Sequence, residues 1–155
     1  VMDEIRFDAI AALEARKSEE FGPWSASVEV PQSMIAAFAE MTGDRQWIHV
    51  DKERAAASPF GTTIAHGFLV LALSPVIKNS AGYVVVGHGS ALNYGLERVR
   101  FVAPVPAGAS VHGHTRIVDV AEEKGGTMLT TGVAIHVVGS DKPSVCFDWK
   151  ILYRA

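Results

Sequence analysis

The stretch "AHGFLVLALSPVI", Ala65 to Ile77, constrains the fold more than any other part of the chain. It reads as a helix of 13 residues, about 20 Å long at 1.5 Å per residue. Apart from His66 and Ser74 it is apolar on every face, and a helix with no polar face has to be surrounded. Pro75 is expected to bend or loosen its last turn, because proline lacks the N–H that a helix interior uses. What can surround the helix stands downstream. "GTMLTTGVAIHVV" alternates Leu129, Thr131, Val133, Ile135 and Val137 on one face, and "SVCFDWKILYR" alternates Val145, Phe147, Trp149, Ile151 and Tyr153. Such period-two runs predict strands. "SVHGHTRIVDV" precedes them, and "EEKGG" and "GSDKP" are hairpin-like links. "YVVVGHGSALNYGLERVRF" is strand-rich, with glycines that suggest bulges. One buried helix and one strongly curved antiparallel sheet each hide the other's apolar face. The fold class is α+β, helical half first, in one domain over residues 1–155.

The helical half reads as follows. Residues 3 to about 19 predict a helix with Ile5, Ala9, Leu13 and Arg16 on one face, stopped by Gly22-Pro23. "SASVEV" is a short strand. Pro31 opens "PQSMIAAFAEMTGD", a helix with a core stripe of Met34, Ile35, Phe38 and Met41 that ends at Gly43. "DKERAAA" suits a short helix with Asp51 as its N-cap, and "SPFGTTI" is a loop.

Composition excludes several classes. With 48% hydrophobic and 20% charged residues the chain has the means to fold. A net charge of -3 lacks the basic footprint a nucleic-acid partner requires. The longest apolar run covers about half of the roughly 20 residues a membrane span needs, and the charged N-terminus carries no signal-peptide stretch. A soluble, cytoplasmic protein with no membrane partner is expected. The one cysteine, Cys146, permits no disulfide within the chain and sits as a filler in a strand-like run.

"TGDRQWIHVD", residues 42–51, gathers Asp44, His49 and Asp51. A carboxylate beside an imidazole moves protons near neutral pH. Taken alone, the stretch is open between an acid–base pair, a metal nest and a polar loop. Asp51 would complete an oxygen-and-nitrogen set with Asp44 and His49, but it reads better as a helix cap, so no metal is expected. In "HGH", His112 and His114 share one strand face, as a surface metal clip or, more commonly, as an exposed face.

Two blocks of sequence carry a resemblance. "FAEMTGDRQWIHVDKERAAASPFGTTIAHGFLVLALSPVI" resembles the hydratase signature of MaoC-like proteins and (R)-specific enoyl-CoA hydratases: a helix ending in F-A-x-x-(T/S)-G-D, an I-H-x-D turn, and A-H-G opening the buried helix. "NYGLERVRFVAPVPAGASV" is similar to the same family's R-F-x-x-P-V-x-x-G strand and turn. Together they span most of residues 25 to 120, and Gln46-Trp47, in place of Asn-Pro, points to the subgroup of nodulation protein N-like dehydratases. The resemblance implies the hot dog fold, a sheet wrapped around a central helix, paired as a homodimer. It implies a hydro-lyase that reversibly hydrates a trans-2-enoyl-CoA, an acyl-CoA thioester, to the (R)-3-hydroxyacyl-CoA with no cofactor. It places catalysis on Asp44 and His49, which activate one water, and an oxyanion donor at the Gly67 backbone amide. His66 reads as structural. Two alternatives stay open: a hot dog acyl-CoA thioesterase, and a catalytically degenerate acyl-binding dimer. Ala72, where several relatives carry serine, keeps the second alive. Trp47 would narrow an acyl tunnel or pack against a partner, and Arg98 and Arg100 would meet CoA phosphates or form salt bridges.

Overall fold

In the computed structural model, which describes residues 2–78 and 81–155, the elements run β1 (Asp3–Arg6), α1 (Ile10–Glu14), β2 (Val28–Glu29), α2 (Gln32–Thr42), α3 (Trp47–Val50) and α4 (Lys52–Ala56). They continue as α5 (Gly67–Ala72), α6 (Ser74–Lys78), β3 (Tyr83–Val86), β4 (Ser90–Phe101), β5 (Ser110–Glu123), β6 (Gly126–Val137) and β7 (Val145–Arg154). The chain therefore opens with a strand, not with the helix expected over residues 3–19. Ile5 and Phe7 are buried while Glu4, Arg6 and Asp8 face out, a period of two that the helical spacing of Ile5, Ala9 and Leu13 masks. Parallel pairing of β1 with β3, Ile5 opposite Val85, settles the contest in favour of the strand. Helix survives only as α1, which buries Leu13.

The main sheet has five strands in the order β2-β5-β6-β7-β4, all antiparallel. Its inner face carries the alternating residues read from the sequence: Val133 and Ile135 on β6, and Val145, Phe147, Trp149, Ile151 and Tyr153 on β7 are all buried. Register shifts at Asn93/Gly95, Glu97/Arg100 and Ile117/Asp119 mark bulges, which bend and twist strands. Residues 18–25 run along β5, donating from Ser18, Gly22 and Ser25 N–H to the carbonyls of Ile117, Thr115 and Gly113. Trp24 pins this segment by stacking on His112 at 4.1 Å and His114 at 3.8 Å. The two histidines thus form neither an exposed face nor a metal clip; an indole covers them. With β5 covered, β4 is the open edge of the five-stranded sheet.

The central helix differs from expectation in two ways. It is broken at Leu73 into α5 and α6. Pro75 has no N–H for the Leu71 carbonyl four residues earlier, and the Ser74 hydroxyl donates to that carbonyl instead. Nor is it surrounded. Phe68 and Val76 are 68% and 47% exposed, so one apolar side of the pair lies open beside β4. The opposite side packs tightly: a Cβ at Gly113 on β5 would come within 2.5 Å of Ile77 Cγ2, so glycine there lets α6 approach the sheet.

α2 matches its predicted bounds, but its buried stripe is narrower. Ile35 and Ala39, one turn apart, fill the core, Met34 and Phe38 flank them, and Met41 is 76% exposed. At 3.6 residues per turn Met41 lies about 120° round from Ile35, past the reach of the core. The Asp51 side chain accepts from Arg54 N–H at 3.0 Å, the predicted N-cap of α4.

Candidate active site

Three segments converge beside the start of α5. Gly43, in a left-handed conformation with φ 80°, ends α2 and turns the chain so that Asp44 follows at the surface. The short α3 carries His49 inward, where it is buried. The loop after α4 returns through Ile64 and Ala65, which bond to Ile48 O and Val105 O, and delivers His66 and Gly67. Asp44, His49, His66 and Gly67 line one cavity of about 450 Å³, closed on its other side by Phe101, Pro104 and Val145.

His49 is the most tightly specified group. Its Nδ1 lies 2.7 Å from Ile64 O. A carbonyl only accepts, so Nδ1 carries the hydrogen, and in the neutral ring Nε2 is left as a bare acceptor. Burial pushes the His49 pKa down from its ordinary value; the Ile64 bond opposes this, the neighbouring His66 adds to it, and Asp44 opposes it. The result is an imidazole held neutral at neutral pH in one tautomer. Its backbone is braced as well: Gln32 Nε2 donates to His49 O at 2.8 Å, and Gln32 Oε1 accepts from the Thr63 hydroxyl. Gln32 escaped the sequence reading because a polar residue in the first turn of an amphipathic helix carries no signal of its own.

His66 does more than fill space. Its ring stacks on His49 at 3.8 Å and 23°, its Nε2 donates to Asp44 O at 2.9 Å, and among the described residues its buried Nδ1 has no partner. It fixes the backbone of Asp44 and the plane of His49 together. The oxygen-and-nitrogen set weighed from sequence used Asp51; that residue is committed to its helix cap, and His66 stands in the cluster instead. One donor atom each from Asp44, His49 and His66 lies within 4.8 Å of the others, a spacing that a divalent ion could also use.

Gly67 begins α5, and among the described residues its N–H has no hydrogen-bond partner. A Cβ there would meet Phe101 Cδ1 at 2.6 Å, so glycine allows the ring to close down over the amide. The other flagged residues lie elsewhere. Trp47 packs beneath the Arg54 guanidinium, 4.3 Å from its ring centroid, and does not line the cavity. Arg98 sits at the β4 bulge with φ 53° and pairs with Asp148; it and Arg100 line a separate cavity with Arg116. Ala72 is exposed and lies away from Asp44, beside Tyr94 and Leu96.

Comparison with known proteins adds an independent line. A family described as MaoC like domain matches residues 17–138. The chain is 45% identical over 150 residues to a protein named 3-hydroxyacyl-thioester dehydratase Z from Mycobacterium tuberculosis, covering 96% of this chain and 98% of that one. It is 38% identical over 150 residues to nodulation protein N from Rhizobium meliloti, covering 96% and 91%. Among solved structures, an (R)-hydratase from A. caviae superposes with a TM-score of 0.68 at 23% identity, covering 86% of this chain and 96% of that chain. The fold is the hot dog, a curled antiparallel sheet packed against a central helical element.

Proposed function

The chain belongs to the MaoC-like dehydratase family, and on that premise we propose that it is a hydro-lyase adding water reversibly to a trans-2-enoyl-CoA to give the (R)-3-hydroxyacyl-CoA. The observation that carries this reading is the cavity shared by the Asp44 carboxylate, the bare Nε2 side of His49 and the unpaired Gly67 N–H. Hydration needs those three functions: a base for water, a second group to orient it, and a donor for charge on the thioester oxygen.

The chemistry runs as one balanced exchange. A water donates one O–H to the Asp44 carboxylate and the other to His49 Nε2. As its oxygen bonds to Cβ, the proton passes to Asp44, and the C=C electron pair shifts toward the thioester. Negative charge collecting on the carbonyl oxygen meets the Gly67 N–H. Asp44 then gives its proton to Cα, so that one water has been added and both catalytic groups return to their starting forms. Dehydration is the reverse. An enoyl-CoA assay tests this: enoyl absorbance falls on addition of the protein, the product is the (R)-alcohol by chiral analysis, and a saturated acyl-CoA releases no free thiol. Thiol release without loss of enoyl absorbance would make the protein a thioesterase.

We also propose a homodimer built on β4, α5 and α6. The open edge of β4 and the exposed Phe68, Val76, Tyr94 and Leu96 form a continuous apolar side on a single chain, and edges and patches of this kind are normally covered. Sedimentation should give twice the chain mass, and Tyr94→Glu should give the monomer; a monomeric native protein contradicts the proposal. No helix of the described residues is long and apolar enough to cross a membrane, and we place the reaction in the cytoplasm. Recovery of the protein in a membrane fraction would count against that placement.

A further inference from the structure

Two further cavities follow the Asp44 cavity along the α5–α6 pair and strands β4 and β7. Val70 and Val145 line the first cavity, and Leu71 and Phe147, next along the same elements, line a second of about 430 Å³. That second cavity shares Pro75, Asn93 and Trp149 with a third, of about 410 Å³. The third cavity is apolar on most sides, yet it ends on a cluster of polar groups. Lys78 Nζ donates to the Tyr153 hydroxyl at 2.6 Å and lies 5.6 Å from the Trp149 ring centroid. Among the described residues no carboxylate lies within ion-pair distance of this amine. His88 donates from Nε2 to Val85 O at 3.1 Å, and among the described residues its buried Nδ1 has no partner.

We propose, resting on the hydro-lyase reading above, that this third cavity receives the far end of the acyl chain and that Lys78 and Tyr153 recognise a carboxylate there, making the preferred substrate an ω-carboxy-2-enoyl thioester. The physical reason is a half-buried ammonium that meets a hydroxyl and two aromatic rings but, among the described residues, no carboxylate. An ammonium shielded by aromatic rings is costly to leave unpaired, and burial lowers the Lys78 pKa for that cause alone. A methyl-ended chain would complete the desolvation and supply nothing in return. A carboxylate supplies the missing charge and accepts from the two remaining Lys78 N–H groups, and the Tyr153 O–H is free to donate to it. The span fits a medium-length chain. Gly67 to Lys78 is roughly 16 Å along the helical pair, which at about 1.27 Å of advance per bond in an extended chain matches a chain of about twelve carbons.

The experiment compares three enoyl-CoA substrates of about twelve carbons that end in methyl, hydroxyl or carboxylate. The wild-type protein should prefer carboxylate over methyl by about tenfold or more in kcat/KM, and Lys78→Met should reverse that order. A wild-type preference for the methyl or hydroxyl end, or a ratio unchanged in Lys78→Met, overturns the proposal. Calorimetry with the saturated ω-carboxy and methyl-ended acyl-CoA separates the two claims. Tighter carboxylate binding without turnover of any enoyl-CoA keeps the tail site and removes the hydro-lyase reading; turnover with no preference in rate or binding does the opposite. If Lys78→Met fails to fold, Lys78→Gln and the wild-type binding ratio decide.

Discussion

Replacing Gln32 by methionine tests how the His49 segment is held. The substitution keeps side-chain length and helix propensity and removes both polar contacts: the donation to His49 O at 2.8 Å and the acceptance from Thr63. Two neutral hydrogen bonds contribute about 1 kcal/mol each, and a buried hydroxyl left without an acceptor adds about 1 kcal/mol; Thr63 is only 2% exposed. The expected loss is about 2–3 kcal/mol, which for a chain of this size lowers Tm by roughly 5–10 °C. Activity should suffer separately. With its backbone carbonyl released, His49 shifts within the cavity, and misplacement on the ångström scale costs up to about a hundredfold in rate. We expect kcat to fall by about tenfold with KM changed less. Gln32→Glu separates the two effects, because a carboxylate still accepts from Thr63 but cannot donate to His49 O: part of the stability returns and the rate does not. An unchanged melting temperature in Gln32→Met, or a lowered one with full kcat, would refute the bracing argument.

Three further outcomes follow from the same geometry. Burial lowers the pKa values of His49, His112 and His114 from 6.5 in the folded protein, so below that pH the unfolded chain binds more protons; stability is flat above about 6.5 and falls as pH drops from there through the folded values, and a melt that rises on acidification contradicts this. Gly67→Ala, whose Cβ would lie 2.6 Å from Phe101 Cδ1, should displace that half-exposed ring at a cost of about 1 kcal/mol and cut kcat/KM several-fold; kinetics identical to wild type would show that the ring does not help to close the cavity. Protein dialysed against a chelator should hydrate enoyl-CoA at its full rate, since no proposed step uses an ion; loss of activity restored by zinc would transfer Asp44, His49 and His66 to a metal site.

Much of this was legible in the residues, for identifiable reasons. The every-second-residue apolar runs read along β6 and β7 predicted strands, and strands of 12 and 10 residues formed there, with β6 buried on both faces at nearly every position. Asp51 was readable as a cap because side-chain capping is local. Asp44, His49 and Gly67 could be named together only through a resemblance, since nothing in their spacing reveals that α3 and the start of α5 face one cavity. What failed was decided by distant contacts. The N-terminal strand depends on β3, whose paired residues lie 80 positions away. The apolar face of Phe68 and Val76 looks buried until the reach of a single sheet is known. His66 looked structural, and its bond to Asp44 O gives that role a target. The indole over His112 and His114 comes from a loop whose sequence, "FGPWS", carries no strand or helix signal.

The central claim is that Asp44 and His49 act together on one water, and the most direct measurement is steady-state hydration of an enoyl-CoA by Asp44→Asn, His49→Gln and the double variant, each checked by thermal melt. The account predicts that each single variant loses at least about a hundredfold in kcat/KM, that the double variant loses little more than the worse single one, and that all three melt within a few degrees of wild type. Two folded single variants that both keep the wild-type rate would contradict it.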